Sequence, residues 1–187
     1  AIFVAFLPIN GISYASDTIP LSCAKKTNYT IRISNVIKGC EKTEVSLGAG
    51  AIPRSLIRPN QIDKQLMNRF KAAQAAAKKD GKSIYIASGF RTLSRQTTLF
   101  AQAIKKYGTA AEASKWVAPP LVSHHPWGVA IDVNYPDDPV GAGWLEINGS
   151  KFGLCRVFKN EWWHFEPVIA PGWKCPALVP DATFSVD

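Results

Sequence analysis

Three histidines are present in the 187-residue chain, and all of them stand beside acids, glycine or tryptophan. Two are adjacent in Ser123–Asp132, which reads SHHPWGVAID, and the third, His164, lies in EWWHFE. A catalytic zinc site commonly takes three nitrogen or oxygen ligands and leaves one position for water. His125, Asp132 and His164 offer such a set, and Glu161 offers a carboxylate to act as base toward that water. Adjacent residues on an extended chain point to opposite sides, so His124 and His125 are not both expected on one ion. Pro126 and Gly128 argue against a helix here, so a zinc site built from paired histidines on one helix does not apply. The plain alternative is that the histidines are hydrogen-bonded core residues and that Trp127, Trp162 and Trp163 serve packing.

These residues need a scaffold. Ile62, Leu66, Phe70, Ala73 and Ala77 recur at helical spacing, which predicts a helix from Pro59 to Lys79 stopped at Asp80-Gly81. SIYIAS (83–88) reads as a buried strand, and Thr92 or Ser94 is placed to cap a second helix running through Lys106. TAAEASKWV suggests a short helix before Pro119-Pro120. GVAIDVNY (128–135) reads as a strand, GWLEINGSKFG as a helix stopped at Gly153, and WWHFEPV (162–168) as a last strand. Upstream, YTIRISNVI alternates and predicts a strand from Tyr29 to Ile37. Strands and helices mix without regular alternation, which points to the α+β class. Glu161 lies three residues before His164, and positions three apart on a strand face opposite sides. Glu161 must therefore sit in the turn leading into that strand, or beside a bulge.

Composition sets bounds on function. Hydrophobic residues make up 47% of the chain and charged residues 19%, which fits one folded domain rather than a disordered chain. A formal net charge of +8 suits an anionic partner such as nucleic acid, anionic lipid or an anionic wall polymer. The basic residues are scattered in pairs and no nucleic-acid motif is present, so nucleic acid is not an expected partner. The first fifteen residues resemble the apolar core of a secretory signal, with Ser13-Tyr14-Ala15 as a cleavage site. A buried N-terminal strand is the alternative. Four cysteines fit export, and the simplest pairing is Cys23–Cys40 with Cys155–Cys175. Four buried, reduced thiols are the alternative. Asp137-Asp138 reads as a solvated turn rather than a calcium loop. Glu166, on the same strand face as His164, reads either as a partner of that histidine or as half of a salt bridge at the rim.

SGFR (88–91), SHHPWGVAID (123–132) and EWWH (161–164) follow one another in the order of a family pattern. With them the chain resembles the zinc D-alanyl-D-alanine carboxypeptidases of the VanY type, over about residues 58–168. The resemblance implies a small antiparallel sheet with flanking helices, like the hedgehog and D,D-peptidase domains, with zinc in a cleft over the sheet. It assigns His125, Asp132 and His164 as zinc ligands, Glu161 as catalytic base, and Arg91 as the group that holds the substrate carbonyl. It places Gln96 near the substrate and Ser123 at the peptide terminus, and leaves His124 on the rim. It implies a secreted, monomeric enzyme of the periplasm or cell wall, with peptidoglycan stem peptides as partners and no membrane span in the mature chain. A leader over 1–15, an extension over 16–57 and a peptidase domain over 58–187 complete the expected layout. Trp162, His124 and Thr92 depart from the usual pattern and bear on specificity rather than chemistry. An L,D-carboxypeptidase, an endopeptidase of the same fold and a catalytically silent wall-binding module are the competing functions.

Overall fold

In a computed structural model of the chain, the described residues are 62–120 and 122–183, together with three strands nearer the N-terminus. Those strands, β1 (Leu21–Lys26), β2 (Ile31–Val36) and β3 (Val45–Ser46), form an antiparallel sheet in the order β2-β1-β3. The strand expected at Tyr29–Ile37 is β2, slightly shorter. The expectations for the first fifteen residues and for a Cys23–Cys40 bridge lie outside the described residues.

The remainder is built on a second sheet of four short antiparallel strands. These are β4 (Ile86–Ser88), β5 (Ile131–Val133), β6 (Cys155–Arg156) and β7 (His164–Glu166), in the order β4-β5-β7-β6. In this sheet Asp132 is opposite Ser88 on one side and His164 on the other, while Glu166 is opposite Cys155. Side chains alternate across a strand. Ile131, Val133 and Phe165 therefore share one face, and Asp132, His164 and Glu166 the other. The first face is covered by Leu66, Phe70, Ala73 and Ala77 of α1 (Lys64–Lys79) and by Ala142 and Leu145 of α4 (Pro139–Asn148). Burial of this apolar layer holds the second, polar face in place.

Helix boundaries follow their caps. Asp63 accepts from the backbone N–H groups of Gln65 and Leu66, so α1 begins at Lys64 rather than at Pro59. Its C-terminal stop is at Asp80-Gly81 as expected, with Gly81 at φ +67°. Thr92 caps α2 (Leu93–Tyr107), and Thr109 caps α3 (Ala110–Ser114). Asp138 caps α4, accepting from Val140 and Gly141, which gives the Asp137-Asp138 turn its purpose. The helix read from Gly143 thus starts earlier, at Pro139, and ends in a 3-10 turn at Gly149–Phe152. Three strand expectations are too long: only Ile86–Ser88, Ile131–Val133 and His164–Glu166 pair as strands. Strand β6 was not foreseen, because two residues carry no periodicity to read.

Two buried polar residues join the layers. Arg69, on the core side of α1, donates to the carbonyls of Gly153 (2.9 Å) and Ile169 (2.8 Å), tying the helix to the segments that precede β6 and follow β7. Asn134 follows β5 in the left-handed region at φ 56°, which asparagine tolerates better than most residues. Its amide donates to Ser83 O (2.9 Å) and Asp138 Oδ2 (2.7 Å), and its carbonyl oxygen accepts from Tyr85 N (2.8 Å). It thereby fixes the end of the strand that carries Asp132 to the segment before β4 and to the cap of α4. The disulfide Cys155–Cys175 closes a 20-residue separation and anchors the C-terminal segment to β6. Replacing Asn134 with alanine is expected to destabilise the domain by about 2–4 kcal/mol, through lost buried hydrogen bonds and a disfavoured backbone. Urea denaturation checks this, and a change within about 0.5 kcal/mol would show that the network is not needed.

Candidate metal centre

The polar face of the second sheet forms the floor of a cleft of about 870 Å³. Arg91, Gln96, Ser123, His124, His125, Asp132, Glu161, His164 and Glu166 all contribute to its lining. Every residue singled out from the sequence as a site residue is therefore in one cleft. At its lip the rings of Tyr135 and Trp163 lie 4.3 Å apart between centroids, and Trp116 forms part of the wall further along. Trp163 is thus a cleft residue, whereas Trp162 packs against the core as expected.

His125 reaches the cleft from a 3-10 turn, His125–Trp127, closed by Gly128 at φ 70°. A helical turn was not expected here. Proline fits because it occupies the first turn, where its missing N–H costs nothing. The ring of His125 donates from Nδ1 to the carbonyl of Gly89 (2.7 Å), and its backbone carbonyl accepts from Arg91 N (3.3 Å). The SGFR segment therefore orients the histidine, which explains physically why the two motifs occur together. With Nδ1 committed, Nε2 is the atom that faces the cluster, 3.3 Å from Asp132 Oδ1.

His164 has the opposite arrangement. Its Nε2 is bonded to Glu166 Oε1 (2.7 Å), so Nδ1 faces the cluster, 3.3 Å from the same Oδ1 of Asp132. The other oxygen of Asp132 is bonded to Arg91 Nη2. Two imidazole nitrogens and one carboxylate oxygen, each from a buried residue, thus come within 4.8 Å of one another. Glu161 stands beside them with Oε2 3.6 Å from His164 Nδ1. It precedes β7 in the turn, as its three-residue spacing required, and the backbone N–H of His164 points back at its carbonyl (3.4 Å).

Around this cluster, Arg91 Nε donates to Ser88 Oγ (2.9 Å), and Nη1 approaches Gln96 Oε1 (3.4 Å). Gln96 is buried, and its amide nitrogen donates to the carbonyl of Ala118 (2.8 Å), so it supports the arginine from behind. Ser123 is buried in the wall next to the histidine turn. His124 lines the cleft, but its Nδ1 is bonded to Glu166 Oε2 (2.8 Å). Glu166 is only 3% exposed, which excludes the rim salt bridge and leaves it as a buried partner of two histidines. That double role was not readable from the sequence. The spacing of His164 and Glu166 shows a shared face, but the contact with His124 exists only once the strand and the turn are packed together.

Electrostatics divide the acids into two kinds. Burial alone would raise Asp132, yet the charge and hydrogen bonds of His125 and His164 outweigh it and hold the carboxyl well below its usual range. Glu166 is likewise held well down, by His124 and His164 against the effect of burial. Glu161 has no such tight partner. Burial pushes it up to about 7, with His164 opposing and Asp132 adding to the rise. The histidines divide too. Burial lowers His125, with Asp132 opposing. Burial also disfavours charge on His164, but hydrogen bonds to Asp132 and Glu166 and the nearby Glu161 push it up to about 10. One acid faces His125 and three face His164, which accounts for the difference.

The order of motifs, the sheet and the cluster define the chain as a member of the D,D-peptidase fold class. The family model for D-alanyl-D-alanine carboxypeptidase, VanY, matches residues 59–170, and the chain belongs to that family. It is 31% identical over 131 residues to a D-alanyl-D-alanine carboxypeptidase of Enterococcus faecalis, which covers 58% of this chain and 47% of that protein. The chain thus spans about half the length of this curated relative. The fold resembles that of a vancomycin-resistance D,D-pentapeptidase VanY from a VanB-type cassette, in complex with Zn(II). The TM-score is 0.54 at 27% identity, covering 62% of this chain and 81% of the other. A VanYB structure in complex with D-alanine-D-alanine gives a TM-score of 0.51 at 27% identity, covering 59% and 72%.

The His164 ring has a consequence for stability. Folded, it keeps its proton to about pH 10, whereas an unfolded histidine releases it near 6.5. Its contribution is complete below pH 6.5 and is lost as pH rises through about 10. Glu161, raised from 4.5 to about 7, adds a loss of the same sign at lower pH. In the presence of a chelator, the thermal midpoint is expected to fall by at least about 5 °C between about pH 7 and pH 10. His164→Gln should flatten this slope, and a flat profile in the unsubstituted protein would overturn the assignment.

Proposed function

We propose that this chain is an exported, zinc-dependent carboxypeptidase that removes the terminal D-alanine from peptidoglycan stem peptides. The observation that carries this reading is the buried convergence of His125 Nε2, His164 Nδ1 and Asp132 Oδ1 beside Glu161. Two imidazoles and one carboxylate form a donor set that suits zinc in a hydrolytic site, and each ring's other nitrogen is already held by a hydrogen bond. Bound zinc supplies Lewis acidity, lowering the pKa of a water to about 7 and polarising a carbonyl.

The residues of the chain do the rest. Glu161, poised near neutrality by burial, takes the proton from the attacking water and delivers it to the leaving amine of D-alanine. Arg91 is held by Ser88, Asp132 and Gln96 while facing the cleft, and its fixed guanidinium is suited to the negative charge that develops on the carbonyl oxygen. Gln96 acts through that arginine. Ser123 lies in the wall where it can meet the peptide terminus.

The similarity to a VanYB structure holding D-alanine-D-alanine supports the substrate class. A net charge of +8 suits an anionic wall mesh, and the Cys155–Cys175 disulfide suits an oxidising compartment. Residues 58–187 serve as the peptidase unit and 16–57 as an extension to it. Among the described residues, no helix is long and apolar enough to cross a membrane.

The test is incubation of the zinc-loaded chain with a defined stem pentapeptide and tetrapeptide, with products read by mass spectrometry. Loss of one alanine from the pentapeptide alone is expected, with kcat lowered by about 10²–10⁴-fold in Glu161→Gln. Cleavage of the tetrapeptide or of an internal bond would keep the mechanism and change the specificity. No cleavage of either by protein with zinc bound would overturn the peptidase reading for these substrates.

A further inference from the structure

We propose that Glu166 is a positioning residue that couples the metal-ligating His164 to the cleft-facing His124, and that His124 contacts the bound peptide. The inference rests on the metallopeptidase reading and deepens it. Its basis is the use of both oxygens of one buried carboxylate. Oε1 is 2.7 Å from Nε2 of His164, and Oε2 is 2.8 Å from Nδ1 of His124.

A carboxylate only accepts hydrogen bonds, so both of these ring nitrogens must donate. The consequence differs for the two rings. In His164 the hydrogen on Nε2 leaves Nδ1, the atom that faces Asp132 Oδ1 at 3.3 Å, as the position that gives up its proton when a metal binds. In His124, with hydrogen on Nδ1, the free position is Nε2, which has no protein partner among the described residues in a ring that lines the cleft. A hydrogen bond to the far nitrogen is the usual means by which a protein sets the ligating atom of a metal-bound histidine. Here the same carboxylate sets a second ring, and that ring belongs to the cleft rather than to the metal cluster.

The backbone makes the coupling rigid. His164 and Glu166 are two apart on β7 and share its cleft face. His124 immediately precedes the 3-10 turn that carries His125, so it reaches Glu166 from a separate segment. Glu166 therefore spans the cleft floor between the two segments that supply histidine ligands. His124 Nε2 is placed to meet a polar group of a peptide lying across that floor, the amide or carboxylate at its C-terminal end.

Two measurements test this on the full zinc-loaded chain. Long-range ¹H–¹⁵N NMR of the unsubstituted protein should show His164 protonated at Nε2 and His124 protonated at Nδ1. The opposite tautomer on either ring would overturn the corresponding contact with Glu166. Glu166→Gln keeps the shape but turns one acceptor into a donor. It should weaken zinc affinity by about 10–100-fold in competition with a chromophoric chelator, and shift the visible spectrum of the cobalt-substituted protein. Affinity within twofold of the parent and an unchanged spectrum would leave Glu166 a merely structural residue.

His124→Ala should keep zinc affinity within about threefold. It should weaken binding of an acyl-D-alanyl-D-alanine peptide by about 10-fold or more, measured by calorimetry in a Glu161→Gln background, with His124→Asn recovering part of the loss. Unchanged peptide affinity would overturn the role of His124. Failure of the parent to bind the peptide at all would sink that role together with the peptidase reading, while the zinc measurements on Glu166→Gln would still decide the positioning role.

Discussion

The carboxylate of Asp132 is the point on which the site depends. One oxygen is bonded to Arg91, and the other lies 3.3 Å from a nitrogen of each of two histidines. Three separate segments of the chain thus meet at one small group. Such a group is costly to bury, and it is kept ionised only because positive or donating partners surround it. Each partner in turn is held by something else: His125 by the Gly89 carbonyl, His164 by Glu166, and Arg91 by Ser88 and Gln96. The result is a closed set of hydrogen bonds in which each group has a single orientation.

The scaffold is organised to keep Asp132 where it is. Ile131 and Val133 anchor the two sides of that residue in the core, and Phe165 does the same for its neighbour His164. A slip of one residue between β5 and β7 would turn every one of these side chains to the wrong face. Hydrophobic burial on one face therefore enforces the register of the chemistry on the other. Asn134 stops β5 at the correct place, and Arg69 holds α1 against the segments that precede β6 and follow β7.

Much of this was legible in the sequence, and the part that was not has physical reasons. Helix ends are legible where a side-chain cap or a glycine stop marks them, as at Thr92 and at Asp80-Gly81. The start of α1 was placed too early because Ile62 continues the apolar spacing before the cap at Asp63, although it packs on the core from outside the helix. Strand lengths were overestimated because apolar runs extend beyond the paired residues. The 3-10 turn at His125 is not legible in the sequence because proline and glycine signal a break, whereas here one occupies its first turn and the other closes it. The convergence of His125, Asp132 and His164 agrees with what the sequence suggests, since rare residue types in a fixed order carry much information. The contacts of Arg91 with Asp132 and of Glu166 with His124 join residues 41 and 42 positions apart and depend on packing that no local pattern encodes.

Charge balance explains why the cluster suits a divalent cation and why the proposed proton transfer falls to Glu161. With neutral imidazoles, the carboxylates of Asp132, Glu161 and Glu166 and the guanidinium of Arg91 leave two negative charges in a largely buried space. A proton on His164 relieves part of this, which is why that ring is pushed up to about 10. A dication between the histidines must displace the proton and in doing so supplies more positive charge than it removes. Asp132 and Glu166 are tied to fixed donors and cannot take up a proton without breaking them. Glu161 has only the looser approach to His164 at 3.6 Å, and burial already brings it to about 7. Among the described residues of the cleft it is the acid whose protonation near neutral pH costs least and whose oxygen is close to the point where the ligand atoms converge, which supports its proposed part as base.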